Sequence, residues 1–111
     1  MKNLILLTLC IIIAIFISGC YEQTASISEK DKAIDACKKE CNLLLSQGKD
    51  LSIGPCILNP INDVPDWVCD VTHEPRQDID NRPENQCSVF GEGKAHHFVE
   101  VNSSCELIGT W

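Results

Sequence analysis

Six cysteines, Cys37, Cys41, Cys56, Cys69, Cys87 and Cys105, and three histidines, His73, His96 and His97, have the most capacity for covalent, metal or proton chemistry in this sequence. Spacing discriminates between those chemistries. Zinc knuckles use C-x2-C pairs in twos, whereas this chain has a single C-x3-C at 37–41 and no second close pair after it. A C-x-x-C redox motif is also absent. An even number of cysteines in a small exported domain fits three disulfides, in any of fifteen pairings that spacing leaves open.

His96, His97 and Glu100 have the residue types of a metal site. Neighbours in a strand point to opposite faces, so His96 and His97 are not expected to share one ion. His96 and Glu100 share a face with Phe98 but stand about 13 Å apart at strand rise. His97 reads as a hydrogen-bonded, half-buried residue in phase with Val99 and Val101. No metal is expected, and no cofactor. His73 opens a polar stretch, 73–86, that carries Arg76 and Arg82 among four acidic residues. A histidine near carboxylates can do acid–base work, yet no serine elbow, paired-acid motif or catalytic cysteine accompanies it. No catalytic residue is assigned. His73, Arg76, Arg82, His96 and His97 are instead candidates for a binding patch. Asn102-Ser103-Ser104 is an N-glycosylation sequon in an expected turn.

The segments that carry these residues begin with a leader. Lys2 is followed by an apolar run at 4–17, broken only by Thr8, and then by the small residues Ser18 and Gly19. Fourteen residues are too few for a spanning helix, which needs about 20, and fit the apolar region of a secretory signal. Ile17-Ser18-Gly19-Cys20 resembles the lipobox of prokaryotic lipoproteins. That resemblance implies a diacylglyceryl group on the Cys20 thiol and cleavage before it, leaving Cys20 as the first mature residue. Two or three acyl chains, each contributing about 0.8 kcal/mol per buried CH2, anchor firmly where one does not. An uncleaved signal anchor is the competing reading, and it tethers the chain equally. The organisation expected is therefore a signal peptide at 1–19, a lipidated cysteine with a flexible tether at 20–30, and a small disulfide-rich domain at 31–111.

Loss of the leader takes away Lys2 alone, so the formal net charge of −7 becomes −8, eight basic residues against sixteen acidic. Such a chain is repelled by nucleic acid and by anionic lipid surfaces, and suits a basic protein partner. Few large core side chains remain in the mature part, and disulfides compensate for a small core.

Within the domain, Ser28 with Asp31 signals a helix start and Gly48 a helix end. Ile34, Cys37, Cys41, Leu44 and Leu45 make one apolar stripe over the expected helix 31–47, so both cysteines face the core. Stacked a turn apart, they are placed to staple two other segments rather than each other. Residues 50–66, with three prolines, read as an irregular connection held by Cys56. Trp67, Cys69 and Val71 alternate with Val68, Asp70 and Thr72, the pattern of a strand with one buried face. The 73–86 stretch reads as a solvated excursion pinned near Cys69 and Cys87. After it, Cys87–Phe90, 95–101 and 105–111 read as a β-meander, with Cys105, Leu107 and Trp111 on one face.

The run PDWVCDVTHEPRQDIDNRPENQCSVFGEGKAHHFVEV, with Cys105 after it, resembles small exported, cysteine-rich archaeal proteins. The resemblance implies an archaeal surface protein and transfers no activity.

The expected fold class is α+β: one N-terminal helix on a small antiparallel sheet of about four strands, stapled by disulfides. The expected role is a lipid-anchored binding or interaction module on the extracytoplasmic side of the cell membrane. Its expected partners are membrane lipid through Cys20 and a protein, and no nucleic acid. Two alternatives remain: an inhibitor of an extracellular hydrolase that inserts the 73–86 loop, and a small His-based metal-binding or hydrolytic domain.

Overall fold

The computed structural model describes residues 25–111; the leader, Cys20 and the first part of the tether lie outside the described residues. Residues 25–28 are exposed coil. Ser28 then caps helix α1, Glu29–Ser46, its hydroxyl accepting from the Asp31 N–H at 3.2 Å. The cap satisfies one of the four N–H groups left open at a helix start. At the other end Gly48 takes φ +75°, and the N–H groups of Gly48 and Lys49 reach back to the carbonyls of Leu45 and Leu44. These are the paired bonds of a Schellman ending, and only glycine enters that left-handed position without strain. Ala33, Cys37 and Cys41 form the buried line of the helix, with Ile34, Ala36 and Leu44 partly covered beside it. Leu45, expected in the stripe, is 40% exposed. One residue on from Leu44 is a rotation of about 100°, which carries Leu45 off the buried face.

Helix α1 lies on a four-stranded sheet of β1 (Cys56–Leu58), β2 (Trp67–Val71), β3 (His97–Val101) and β4 (Leu107–Thr110). Strand order follows chain order. β1/β2 and β3/β4 are antiparallel, while β2 and β3 run parallel in register from Trp67↔His97 to Val71↔Val101. The α+β class with disulfide staples is thus the observed one, but the sheet is mixed and its C-terminal part is not a meander. Cys87–Phe90, expected as a strand, leaves the sheet: residues Ser88–Gly91 form a short helix, α2. A parallel neighbour requires a crossover of a dozen or more residues, and residues 72–96 supply it. The remaining strand position is filled by Cys56–Leu58, from the segment read as irregular.

Disulfides join Cys37 to Cys69, Cys41 to Cys105 and Cys56 to Cys87. As the helical spacing implied, Cys37 and Cys41 staple α1 to two different segments. Cys105 lies in the turn between β3 and β4 at φ +65°, not on a strand. The register shift beside it, at Glu100/Val101, separates the faces expected to coincide. Cys105 packs in the core under α1, whereas Trp111 stacks on Phe98 at 5.1 Å on the opposite side.

The main core lies between α1 and the sheet: Trp67, Cys69, Val71, Val99 and Val101 meet Ala33, Cys37 and Cys41. A smaller cluster of Val68, Cys87 and Ala95, with Val89 and Phe98 against it, covers the other face. Every residue of β2 is consequently buried, where one wet face was expected. Parallel strands are ordinarily covered on both sides. Among the described residues, no helix is long and apolar enough to cross a membrane.

Candidate functional site

Strand alternation turns Val68 and Asp70 of β2 away from α1, together with their register partners Phe98 and Glu100 of β3. Two carboxylates therefore stand side by side on adjacent strands, next to an aliphatic–aromatic pair. The crossover roofs this face. Arg76 reaches down to Glu100 Oε2 with Nη1 at 3.1 Å, and its Nε donates to Asn81 Oδ1 at 2.8 Å. The Thr72 hydroxyl also donates to Glu100 Oε2. Under this roof is a cleft of about 180 Å³, floored by Val68 and Asp70 and walled by Arg76, Gln86, Cys87, Phe90 and Phe98. Phe90 meets Phe98 edge-to-face at 4.8 Å, and Phe98 stacks under the half-exposed Trp111. Gly109 makes that stack possible, because a Cβ there would collide with the indole.

Asp70 is the anomalous member. It is 7% exposed, and its Oδ1 is buried with no hydrogen-bond partner. Burial, with the Glu100 charge beside it, pushes its carboxyl up to about 7; Arg76 opposes the rise and Asp80 adds a little to it. A proton can therefore be held or released there near neutrality. Glu100 has its hydroxyl and guanidinium donors, whereas Asp70 lacks an equivalent.

The roof is rigid because its own polar groups are anchored below. Asp80, fully buried, accepts from the Gln77 N–H at 2.9 Å, from the His73 N–H at 3.1 Å and from His73 Nδ1 at 2.8 Å. Burial alone would raise its carboxyl, but these bonds outweigh burial and hold it below the ordinary value. Gly54, at φ +72°, gives Asp80 the space it occupies. Asn85, also buried, donates to the carbonyls of Ile53 and Ile79 at 2.9 Å each. Two 3-10 turns, Asp78–Asn81 and Pro83–Asn85, result. The 73–86 stretch is thus largely solvent-exposed, as expected, but it is held at more than its ends: two buried side chains, Asp80 and Asn85, tie it down along its length. Asn59 fixes α2 in turn, bonding the Ser88 hydroxyl and the Val89 N–H.

The five residues of the expected patch do not meet. His73 lies just beyond the C-terminal end of β2 and is spent on Asp80; Arg76 alone lines the cleft. Arg82 is exposed between the two 3-10 turns. His96 and His97 lie at the opposite, N-terminal end of the parallel pair. His96 precedes β3, so strand alternation does not govern it, and both rings turn to one carboxylate. Asp66 contacts His96 Nδ1 at 2.5 Å and His97 Nε2 at 3.7 Å, and the His96 bond chiefly lowers the Asp66 carboxyl. His97 also stacks on Trp67 at 4.6 Å and is exposed rather than half-buried. Among the described residues, no three His, Cys, Asp or Glu side chains form a metal-binding group. Asn102 uses its Oδ1 to accept from the Ser104 and Glu106 N–H groups, shaping the β3–β4 turn.

The cleft residues Asp70, Gln86 and Phe90 were not singled out as a site by sequence reasoning. Asp70 sits in the polar phase of an alternating strand, which reads as a solvent face until a second layer covers it. A larger hollow of about 380 Å³ lies beside the end of α1, near Leu44, Lys49, Leu51 and Ile53. It contains no unpartnered buried polar atom. No protein-family model, curated protein or solved structure matches this chain.

Proposed function

We propose that this chain is an exported, lipid-anchored binding module, displayed outside the cell membrane through Cys20, whose ligand site is the Asp70 cleft. The observation that carries the reading is a buried carboxyl group, one of its oxygens without a partner, on the floor of a cleft edged by exposed aromatic side chains. Natural folds leave few buried polar atoms unsatisfied, and such exceptions cluster where a ligand completes them. The lipobox-like Ile17-Ser18-Gly19-Cys20 and six paired cysteines support export and anchoring. Inhibition of an extracellular hydrolase is the second reading. It is favoured by a 73–86 loop locked through Asp80 with Arg82 exposed on it, since a pre-ordered loop loses little entropy on insertion.

Two measurements test the proposal. Cys20→Ala should abolish lipid labelling and shift the chain out of the membrane fraction; persistent labelling would refute the anchor. A fragment screen by amide chemical shifts on the detergent-solubilised mature chain should concentrate its hits at Val68, Phe98 and their neighbours. Hits scattered elsewhere would refute the cleft as the site.

A further inference from the structure

We propose that the cleft is a receptor for a primary ammonium group on a short apolar stem, with the ammonium at Asp70 and the stem along Phe90 and Phe98. The inference rests on the cleft being the binding site and specifies the ligand class. Charge argues for a cation. Arg76 pairs with Glu100 and only partly offsets Asp70, so with Asp70 ionised two carboxylates share one guanidinium and the group carries an excess negative charge. A carboxylate ligand would have to displace Glu100 from Arg76 and then lie against Asp70. Chemistry argues for a donor. Asp70 lines the cleft with a carboxyl to which no side chain donates, and an ammonium offers three N–H donors and no acceptor.

Size and lining argue for one side chain rather than a broad surface. About 180 Å³ holds a butyl-length stem with its ammonium. Val68 on the floor and two phenylalanines in the walls supply faces for that stem, and aromatic faces attract cations. The charged groups that face Asp70 are Glu100 on β3, Arg76 on the roof and Asp80 beneath it, the last paired with His73. The Asp70 carboxyl itself is pushed up to about 7. An ammonium that stabilises its ionised form must draw off the remaining proton, so binding strengthens as pH rises through that range.

The test uses the 15N-labelled mature chain in detergent, titrated with n-butylammonium, n-butanol, sodium butyrate and methyl glucoside. A fifth probe is an acetylated, amidated Gly-Lys-Gly peptide. Butylammonium is expected to shift the Val68 and Phe98 amides with millimolar affinity, about tenfold tighter at pH 8 than at pH 6. Butanol, with the same stem and no charge, should bind at least tenfold more weakly. Asp70→Asn, its fold verified from its own spectrum, should lose the pH dependence and weaken butylammonium at least tenfold. Binding of the lysine peptide at the same amides would assign the occupant to a protein side chain, and butylammonium binding alone to a free amine; either supports the inference. Preferential binding of butyrate or glucoside would overturn it while leaving the cleft a binding site. No response from any probe at the cleft would overturn both.

Discussion

Asp70 holds its charge against the fold. Its carboxyl ionises near 3.8 in the unfolded chain and near 7 in the folded one, where burial and the Glu100 charge disfavour the anion. Between those values the folded state keeps a proton that the unfolded state has lost, so stability falls as pH rises from about 4 to 7 and levels off above. The full difference is an upper bound of about 4 kcal/mol. Asp70→Asn mimics the protonated acid and removes this dependence. The variant is expected to equal the parent near pH 4 and to exceed it at pH 8 by a few kcal/mol, measured by urea unfolding at both pH values. A variant less stable at pH 8 would show that the anion is compensated after all. A more stable neutral isostere would place Asp70 among the residues whose native type costs stability, as functional residues often do.

The element most changed by folding is the 73–86 segment. Its composition is that of a surface loop, yet one carboxylate binds two backbone N–H groups and an imidazole within it. Asp80→Ala should leave these donors unmatched and cost about 3 kcal/mol. Gly54→Ala forces a left-handed backbone on a residue with a Cβ, in space held by an Asp80 oxygen, and should cost about 2 kcal/mol or more. Both variants should also release the roof before the rest of the fold opens. The His73 and Gln77 amides would then exchange with solvent far faster, while the core amides of Val99 and Val101 keep their protection. Equal acceleration at all four positions would mean that the roof and core open as one unit. The same packing buries both faces of β2, and so converts an alternating strand into a central one.

For the whole molecule, the three disulfides connect layers rather than neighbours. Two hold α1 to the sheet side and the third, Cys56–Cys87, holds the first residue of β1 to the residue that caps α2 on the other side. Fragment mapping under partial reduction should recover these three pairs and no others. Each bridge spans 31, 32 or 64 residues, for which the chain-entropy model gives about 4 kcal/mol apiece. Replacing Cys56 and Cys87 by serine should leave the α1 core folded but lower the urea midpoint and weaken ligand binding at the cleft. A fully unfolded variant would place this bridge among those the core itself requires.

The local pattern of residues specifies α1 and its two caps, because Ser28, Asp31 and Gly48 act through bonds within a few residues of themselves. It likewise determined that the helix cysteines look inward and bond to separate segments, since the helical period fixes their direction. Parity gave three bridges and left their pairing open. The tertiary structure alone decided that β2 and β3 run parallel, for strand direction follows from where a crossover returns and not from local pattern. Once that pairing is made, Asp70 comes beside Glu100, Arg76 can close over them, and a strand face that reads as wet becomes the floor of a cleft. The histidines and arginines singled out by type were separated by the same event, because parallel strands send His73 and His96 to opposite ends of the sheet.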